Sequence, residues 1–319
     1  VEKNGGYLRL SDLEQYRPIV HDQPLSGTYR GLGVSGVTGP CAGPTVLEIL
    51  NILAQFDLSD MGHGSIDFLH TMIEAVKLAA VDRFSFMGDP AVYGFPVDAL
   101  ADAEYAKSRA SEIDPTRAKE FSAGDPWSFA GVAKPSSFPS QAGSAPDDGT
   151  TSLTTADKHG NMVALTQTNL AFSGVLNPGV GVMMNCAMGW SAPMSGTVNS
   201  IAPFARALNN MTPIVLHENG RAVMAIGGSG GRRIWPAVVK AIVNRVDFGM
   251  GLQEAMEQPR IHVESDDPVI DPRFGDEVLN DLKRRGHNYS LPPKEFTREG
   301  DDLKSGINPQ TKPTHAAGY

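Results

Sequence analysis

The stretch DDGTTSLTTADKHGNMVALTQT, residues 147–168, decides how the chain is organised. Gly149 precedes a pair of threonines, and polar and apolar residues then alternate in two runs that residues 158–161 separate. Alternation of period two around a short polar link predicts a β-hairpin. Residues 123–149 are rich in Pro, Ser, Gly and Ala and show no period. We therefore expect a mobile linker at 123–149, easy to cleave, that leads into the hairpin.

The patterns on both sides of this linker predict a mixed helix and sheet protein. Residues 26–34 read as one strand, and residues 212–228 predict a second hairpin whose tight turn is Asn219-Gly220. Ser65 is an expected helix N-cap. Helical spacing of apolar residues covers 44–56, 65–84, 98–113, 233–249, 252–260 and 276–287. This order suggests sheets that are covered by helices on both sides.

Composition and charge exclude several classes of partner. The 319 residues carry a net charge of −9, so no basic field attracts nucleic acid or anionic lipid. No stretch approaches the roughly 20 apolar residues that cross a bilayer. Cys41 and Cys186 match no metal-ligand spacing, and packing as small buried side chains explains both more simply. We expect a soluble protein with a small-molecule substrate and neither metal nor cofactor, and we favour the cytoplasm slightly over the periplasm or secretion.

Gly149-Thr150 has two interpretations when it is read alone. The simpler one is a loop tip that feeds a strand. In the other, cleavage before Thr150 frees an α-amine, which then acts as the base for the hydroxyl of the same residue. A second stretch bears on this choice: in residues 225–239, AIGGSGGRRIWPAVV, a strand runs through four glycines into a helix. Backbone N–H groups there suit an acyl oxyanion, whereas close helix–sheet packing is the alternative.

Six stretches together resemble the γ-glutamyltranspeptidase family of N-terminal-nucleophile hydrolases. They are GGYLRLSDLEQYRP (5–18), PLSGTYRG (24–31), LHTMIEAVKLAAVDRFSFMGDP (69–90), the opening stretch (147–168), GGSGGRRI (227–234) and AMEQPRIH (255–262). The resemblance implies an α+β fold, a four-layer αββα sandwich, and a precursor that cuts itself before a threonine. Residues 1–149 would then be the C-terminal part of a large subunit, a helical layer ending in the linker. Residues 150–319 would be the small subunit of the same domain, and the two subunits would form a heterodimer, with further pairing left open.

The resemblance also assigns roles to individual residues. It makes Gly149-Thr150 the cleavage site, Thr150 the nucleophile and Thr168 a second threonine that hydrogen-bonds to the nucleophile. Asn169 matches an asparagine close behind Thr168. The resemblance also makes the backbone N–H groups of Gly230 and Gly231 the donors of the oxyanion hole.

The positions that hold the substrate depart from the usual pattern of the family. Gly189 and Trp190 replace an acidic pair that binds the substrate's α-ammonium, and Asn209 and Asn210 replace a serine pair near its α-carboxylate. An ammonium left unpaired in a closed site is costly. We therefore take Asn169, Trp190, Asn209 and Asn210 as substrate-binding candidates and favour the branch of cephalosporin acylases and small-amide hydrolases.

The hypothesis from the sequence is an autoprocessed amidohydrolase or acyltransferase that cleaves a small amide through a Thr150 acyl-enzyme. Two alternatives stay open. One is a genuine γ-glutamyl transferase or glutathione hydrolase, and the other is an unprocessed homologue without catalysis. Arg206, Arg232 or Arg233 could meet a carboxylate on the acyl group, but a salt bridge is the simpler role for each.

Overall fold

The computed structural model describes residues 5–95, 97–135, 150–170, 172–263 and 267–292. Within them the α-helices are α1 (Leu10–Gln15), α2 (Gly43–Leu53), α3 (Leu58–Met61), α4 (Ile66–Phe86), α5 (Pro90–Tyr93), α6 (Ala103–Ala110), α7 (Ile234–Val246), α8 (Leu252–Glu257) and α9 (Asp276–Arg284). The strands are β1 (Leu25–Tyr29), β2 (Leu32–Gly36), β3 (Thr151–Ala156), β4 (Met162–Gln167), β5 (Phe172–Leu176), β6 (Met183–Asn185), β7 (Ile214–Glu218), β8 (Arg221–Ile226), β9 (Ile261–His262) and β10 (Val269–Ile270). The predicted mixture of helix and sheet is confirmed.

A four-stranded antiparallel sheet of order β1-β2-β7-β8 draws strands from both sides of the predicted linker. One face of this sheet is apolar and buried, because alternate residues such as Val34, Leu216 and Ile226 point the same way. Helix α2 lies against that face, and a Cβ on Gly27 would come within 2.8 Å of Leu47 Cδ2. The core therefore lies between the sheet and the helices that pack on it.

The predicted single strand at residues 26–34 is wrong, because a tight turn divides it into β1 and β2. Arg30 and Gly31 both have positive φ, at 50° and 83°. Arginine rarely adopts this conformation, but the Arg30 side chain is held by Asp247, at 2.9 Å from Nε to Oδ1, and by the Phe56 carbonyl at 2.6 Å. Contacts distant in sequence thus stabilise a turn that carries no strong local signal.

Helix α4 begins where the sequence predicted, because Ser65 Oγ accepts a hydrogen bond from Phe68 N at 3.1 Å. The helix predicted over residues 98–113 is instead broken at Asp102. A short 3-10 helix, Val97–Ala101, precedes it, and the Asp102 carboxylate caps α6 by accepting from Tyr105 N at 2.9 Å. An aspartate competes for backbone donors and so favours a new start over a continuous helix.

Both predicted hairpins after the linker form as expected. In β3–β4, Thr151 pairs with Gln167 and Ala156 with Met162. The turn between β7 and β8 is Asn219-Gly220, with φ of 49° and 76°. No helix among the described residues is long and apolar enough to cross a membrane.

The first residues of the predicted linker are packed against the helical part. Gly124 N donates to the buried Asp82 carboxylate at 2.8 Å, and the Trp127 ring contacts Phe95 edge-on at 5.0 Å between centroids. Residues 136–149, with Gly149 of the expected cleavage site, lie outside the described residues. The contacts of Gly124 and Trp127 therefore fix the first residues of the predicted linker against the helical part.

Candidate active site

Three of the stretches that carry candidate site residues meet at one end of the four-stranded sheet. Ile214 at the start of β7 pairs with Ile226 at the end of β8, so residues 209–213 and the glycine loop 227–231 leave the sheet together. Gly227 lies against the start of β3, since a Cβ placed there would be 2.4 Å from Ser152 Oγ and 3.1 Å from Thr166 Oγ1. Only a residue without a side chain allows this approach. The glycine loop and the first residues after the linker are therefore in contact.

Thr150 stands directly before β3 at this end and is half-buried. The β3–β4 ladder ends with the pair Thr151 and Gln167, and Thr150 and Thr168 are the residues that directly adjoin this last pair. Thr168 is half-buried as well, and its Oγ1 accepts from Leu170 N at 2.9 Å. The structure thus brings together the two threonines that the sequence picked out separately.

The glycine loop turns its backbone through conformations that only glycine adopts readily. Gly230 has φ 126° and ψ 30°, and Gly231 has φ 57°. Gly231 begins a short 3-10 helix, Gly231–Arg233, that continues into α7. The first N–H groups of a helix have no partner within it, and no described group accepts from the N–H of Gly230 or Gly231. These are donors of the kind an oxyanion hole requires.

Asn169 and Trp190 are linked to each other through the backbone. The Asn169 carbonyl accepts from Cys186 N at 2.9 Å, just before a 3-10 helix, Ala187–Trp190. Trp190 is buried, and its Nε1 is enclosed without an acceptor among the described residues. The Trp190 indole is therefore packed inside the protein.

Asn199 belongs to this region but was not predicted from the sequence. Its Nδ2 donates to the Trp190 carbonyl at 2.6 Å, and its Oδ1 accepts from Leu208 N at 2.7 Å. It holds φ at 60°, which asparagine tolerates better than most residues. Asn199 thereby joins the Trp190 helix to the segment that carries Asn209.

Asn209 and Asn210 are both buried, and the loop before α2 fixes their backbone. Asn209 N donates to the Pro40 carbonyl at 2.8 Å, and Ala42 N donates to the Met211 carbonyl at 3.1 Å. Cys41 is the residue between Pro40 and Ala42, which make these two hydrogen bonds. Burial raises the pKa of the Cys41 thiol, and its hydrogen bond with the Asn209 side chain opposes that rise. The asparagine pair thus lies next to a neutral thiol.

Two of the arginines considered as carboxylate partners have other described contacts. Arg206 N donates to the buried Asp89 carboxylate at 2.7 Å, and its Nη1 is 3.9 Å from the same oxygen. The Arg232 guanidinium is buried and lies 5.1 Å above the Phe84 ring. Both side chains therefore make structural contacts.

Comparisons with known proteins identify the family of the chain. The family model for gamma-glutamyltranspeptidase matches residues 1–300. The chain belongs to the γ-glutamyltranspeptidase family. All of the candidate site residues from Gly149 to Gly231 fall inside the matched range.

Relatives within this family carry two kinds of name. The chain is 35% identical over 294 residues to the acylase ACY 1 proenzyme of Pseudomonas sp. strain SE83, covering 91% of this chain and 50% of that protein. It is 33% identical over 306 residues to the glutathione hydrolase proenzyme of Escherichia coli K12, with coverages of 91% and 50%. The crystal structure of cephalosporin acylase from Bacillus halodurans superimposes with a TM-score of 0.77 at 29% identity, covering 92% of this chain and 50% of that one. The chain thus spans about half the length of the relatives it matches.

Proposed function

We propose that this chain carries the catalytic half of an autoprocessed amidohydrolase or acyltransferase whose nucleophile is Thr150. The observation that carries the proposal is the contact between the glycine loop and the start of β3, where Gly227 meets Ser152. Thr150 precedes Ser152 by two residues, so this contact supports a position for its hydroxyl near the N–H groups of Gly230 and Gly231, which have no acceptor among the described residues. A nucleophile beside oxyanion donors is the arrangement that acyl transfer needs.

The proposed reaction follows from these groups. Cleavage of the Gly149–Thr150 bond frees the Thr150 α-amine, which has an ordinary pKa of about 7.7–8.0 and accepts the Oγ proton near neutrality. Oγ bonds to the amide carbonyl carbon, and the N–H groups of Gly230 and Gly231 stabilise the oxyanion. The C–N bond then breaks as the ammonium returns the proton to the leaving amine. Water attacks the ester in the second half, the amine again takes the proton, and the Thr150 hydroxyl is restored.

For the substrate we propose a small amide without an α-ammonium near Trp190. Gly189 and Trp190 offer no carboxylate at that point, and the acylase proenzyme is among the relatives named above. The glutathione hydrolase of Escherichia coli is similarly close in identity, so γ-glutamyl transfer is the second candidate. Hydrolysis of a γ-glutamyl anilide more efficient than that of simple acyl anilides would favour that second candidate.

We also propose the four-layer αββα arrangement, with residues 1–149 in the large subunit and residues 150–319 as the small subunit. The outer face of the β3–β4 hairpin supports a further layer, because Leu153, Val163 and Leu165 on it are about half exposed. Exposed apolar residues on one side of a sheet are typical of a surface that another element covers. The part of the family's length that this chain does not span could supply that cover.

The mass of the purified full-length protein tests the proposal first. Thr150→Ala removes the nucleophile and is expected to leave one uncut chain with no amidase activity. Thr151→Ala, the matched control at the next and exposed position, is expected to be cut before Thr150 and to stay active. A wild-type chain that stays uncut after long incubation, or an active Thr150→Ala variant, would overturn the assignment.

A further inference from the structure

Lys240 of helix α7 is a buried lysine without a polar partner. The residue is 3% exposed, and its Nζ makes no hydrogen bond with any described residue. Among the described residues no carboxylate lies within ion-pair distance of this nitrogen. The Phe274 ring is nearby, with its centroid 5.9 Å from Nζ. A buried ammonium is normally bound by a carboxylate or by other oxygens, so Lys240 lacks the partner that its burial requires.

A small cavity lies beside this nitrogen, between α7 and α8. Its lining combines three alanines and Met256 with three polar residues, Lys240, Gln258 and Arg260. The centre of a water-sized sphere can move within about 10 Å³ of this space. About 10–15 Å³ measured in this way holds one water molecule. The cavity therefore fits an occupant of about that size, such as a monatomic ion, and is too small for a polyatomic ligand.

The charges around the cavity are mainly positive. Arg260 lines it together with Lys240, and Arg273 lies close enough to act on both cations. The neighbouring carboxylate, Asp271, already has a partner, because Arg273 Nη2 and Nε donate to its Oδ2 at 2.6 Å and 3.0 Å. The cations thus outnumber the carboxylate around an enclosed space. Such an excess of positive charge favours an anion in the cavity.

The protonation of Lys240 depends on whether an anion is present. Burial, together with Arg260 and Arg273, lowers the pKa of Lys240 to about 7, and Asp271 opposes this change. An anion next to Nζ favours the charged form, so its binding at neutral pH is accompanied by the uptake of a proton from solvent. The affinity for the anion must then fall as the pH rises above 7.

We propose that the cavity between α7 and α8 binds a monatomic anion such as chloride, with Lys240 as its ligand and Arg260 as the second cation in its lining. The anion supplies the partner that the buried nitrogen lacks among the described residues. Helix α7 continues from the glycine loop through the 3-10 helix Gly231–Arg233, and Lys240 is roughly two turns further along it. A bound anion would thus stabilise the helix that follows the candidate oxyanion donors.

Thermal unfolding of the full-length protein in two salts tests this inference. Sodium chloride is compared with sodium gluconate at equal ionic strength, because gluconate is too large for the cavity. Lys240→Met keeps a long unbranched side chain but removes the charge. At about pH 6.5, we expect about 200 mM chloride to raise the melting temperature by at least about 2 °C more in the wild type than in Lys240→Met, since an anion that binds the folded chain stabilises it.

Lys283→Met is the matched control for a general effect of salt on lysines. Lys283 Nζ also faces an aromatic ring, at 5.0 Å from the Tyr289 centroid, but this lysine is exposed on α9. The control should respond to chloride as the wild type does, because its cavity between α7 and α8 is unchanged.

The pH dependence provides a second measurement, which needs no variant. The chloride concentration for half of the thermal response should rise at least about tenfold between about pH 6.5 and about pH 8.5, because the anion needs the protonated ammonium. The neighbouring groups keep their charge in this range. Burial, with Lys240, lowers the pKa of His63, although Glu254 of α8 opposes this, and the hydrogen bonds from Arg273 lower the pKa of Asp271 against the effect of its burial.

A crystal of the full-length protein soaked in bromide provides the direct test, because bromide scatters anomalously and resembles chloride. We expect an anomalous peak next to Lys240 Nζ in the wild type and none there in Lys240→Met. A cavity that holds only water would overturn the inference. An equal chloride response in the wild type and Lys240→Met, or a response that does not change with pH, would overturn it as well. These measurements need neither cleavage before Thr150 nor turnover, so their failure leaves the proposed function standing, and an inactive chain leaves the anion site standing.

Discussion

His287 provides a test of how burial controls protonation in the helical part of the protein. Its Nε2 lies 2.7 Å from His70 Nδ1, and His70 Nε2 lies 2.7 Å from the Asp114 carbonyl. A carbonyl only accepts, so His70 carries its proton on Nε2 and accepts from His287 on Nδ1. This network assigns His70 as neutral and His287 Nε2 as the donor, and His287 Nδ1 is buried without a hydrogen-bond partner among the described residues, 4.0 Å from Glu74 Oε1.

The contribution of His287 to the pH dependence of stability follows from its protonation in the folded and unfolded chains. Burial, with smaller contributions from His70 and Lys77, lowers the pKa of His287 from 6.5 to about 3. Between these values the unfolded chain binds a proton that the folded chain excludes, so stability falls as the pH falls. At pH 4.5, two units below 6.5, the loss in the free energy of unfolding has an upper bound near 2.7 kcal/mol, because each pH unit contributes about 1.36 kcal/mol. Partial screening by solvent reduces the expected loss to about 2 kcal/mol.

Urea unfolding at pH 7.0 and pH 4.5 measures this contribution in three proteins. His287→Gln keeps a donor toward His70 but does not titrate, and His21→Gln changes an exposed histidine as a control. We expect the free energy of unfolding to fall between the two pH values by about 2 kcal/mol less in His287→Gln than in the wild type or the control. Equal pH dependence in all three proteins would refute the reasoning, because it would mean that His287 is protonated alike in the folded and unfolded chains.

Three further substitutions test other parts of the structure. Ser65→Ala removes the N-cap of α4 and should cost about 1 kcal/mol in thermal or urea unfolding. Burial and Asp82 raise the pKa of Glu48 well above its ordinary value, which favours the neutral carboxyl, so Glu48→Gln should change stability at pH 7.0 by less than about 1 kcal/mol. Gly227→Ala puts a Cβ 2.4 Å from Ser152 Oγ and should lower kcat at least about tenfold, whereas Gly220→Ala, where nothing lies within 4 Å, should lower only stability.

Elements whose signals are local could be predicted from the sequence. The β7–β8 turn follows from Asn219-Gly220, and the start of α4 follows from Ser65, because each residue satisfies the backbone beside it. The β1–β2 turn was missed because Arg30 depends on Asp247, which lies 217 positions away in the chain. Local propensity cannot report such a contact.

The residues of the candidate site show the same difference between local signals and contacts that are distant in sequence. Thr150, Thr168 and the glycines belong to motifs that are contiguous in sequence, and the hairpin and the glycine loop that carry these motifs are in contact. The contacts of Asn199 and Arg83 could not be predicted, because Asn199 Nδ2 donates to the Trp190 carbonyl 9 positions away and Arg83 Nη2 donates to Asn210 Oδ1 127 positions away. The sequence does show Asp82-Arg83 among apolar residues of a predicted helix, but a charged pair there does not reveal which oxygens it binds.

The pairing of β2 with β7 has a consequence for a chain cut at its linker. Gly33 pairs with His217 and Gly36 with Ile214, so the ladder joins the segment before residue 136 to the segment after residue 149. A cut between these two segments would give two polypeptides that stay joined by the hydrogen bonds of one sheet. Complete unfolding would separate the two polypeptides. Refolding would then be a second-order association, and the melting temperature would rise with protein concentration. The stability of the cut protein would therefore depend on the protein concentration as well as on the contacts within the fold.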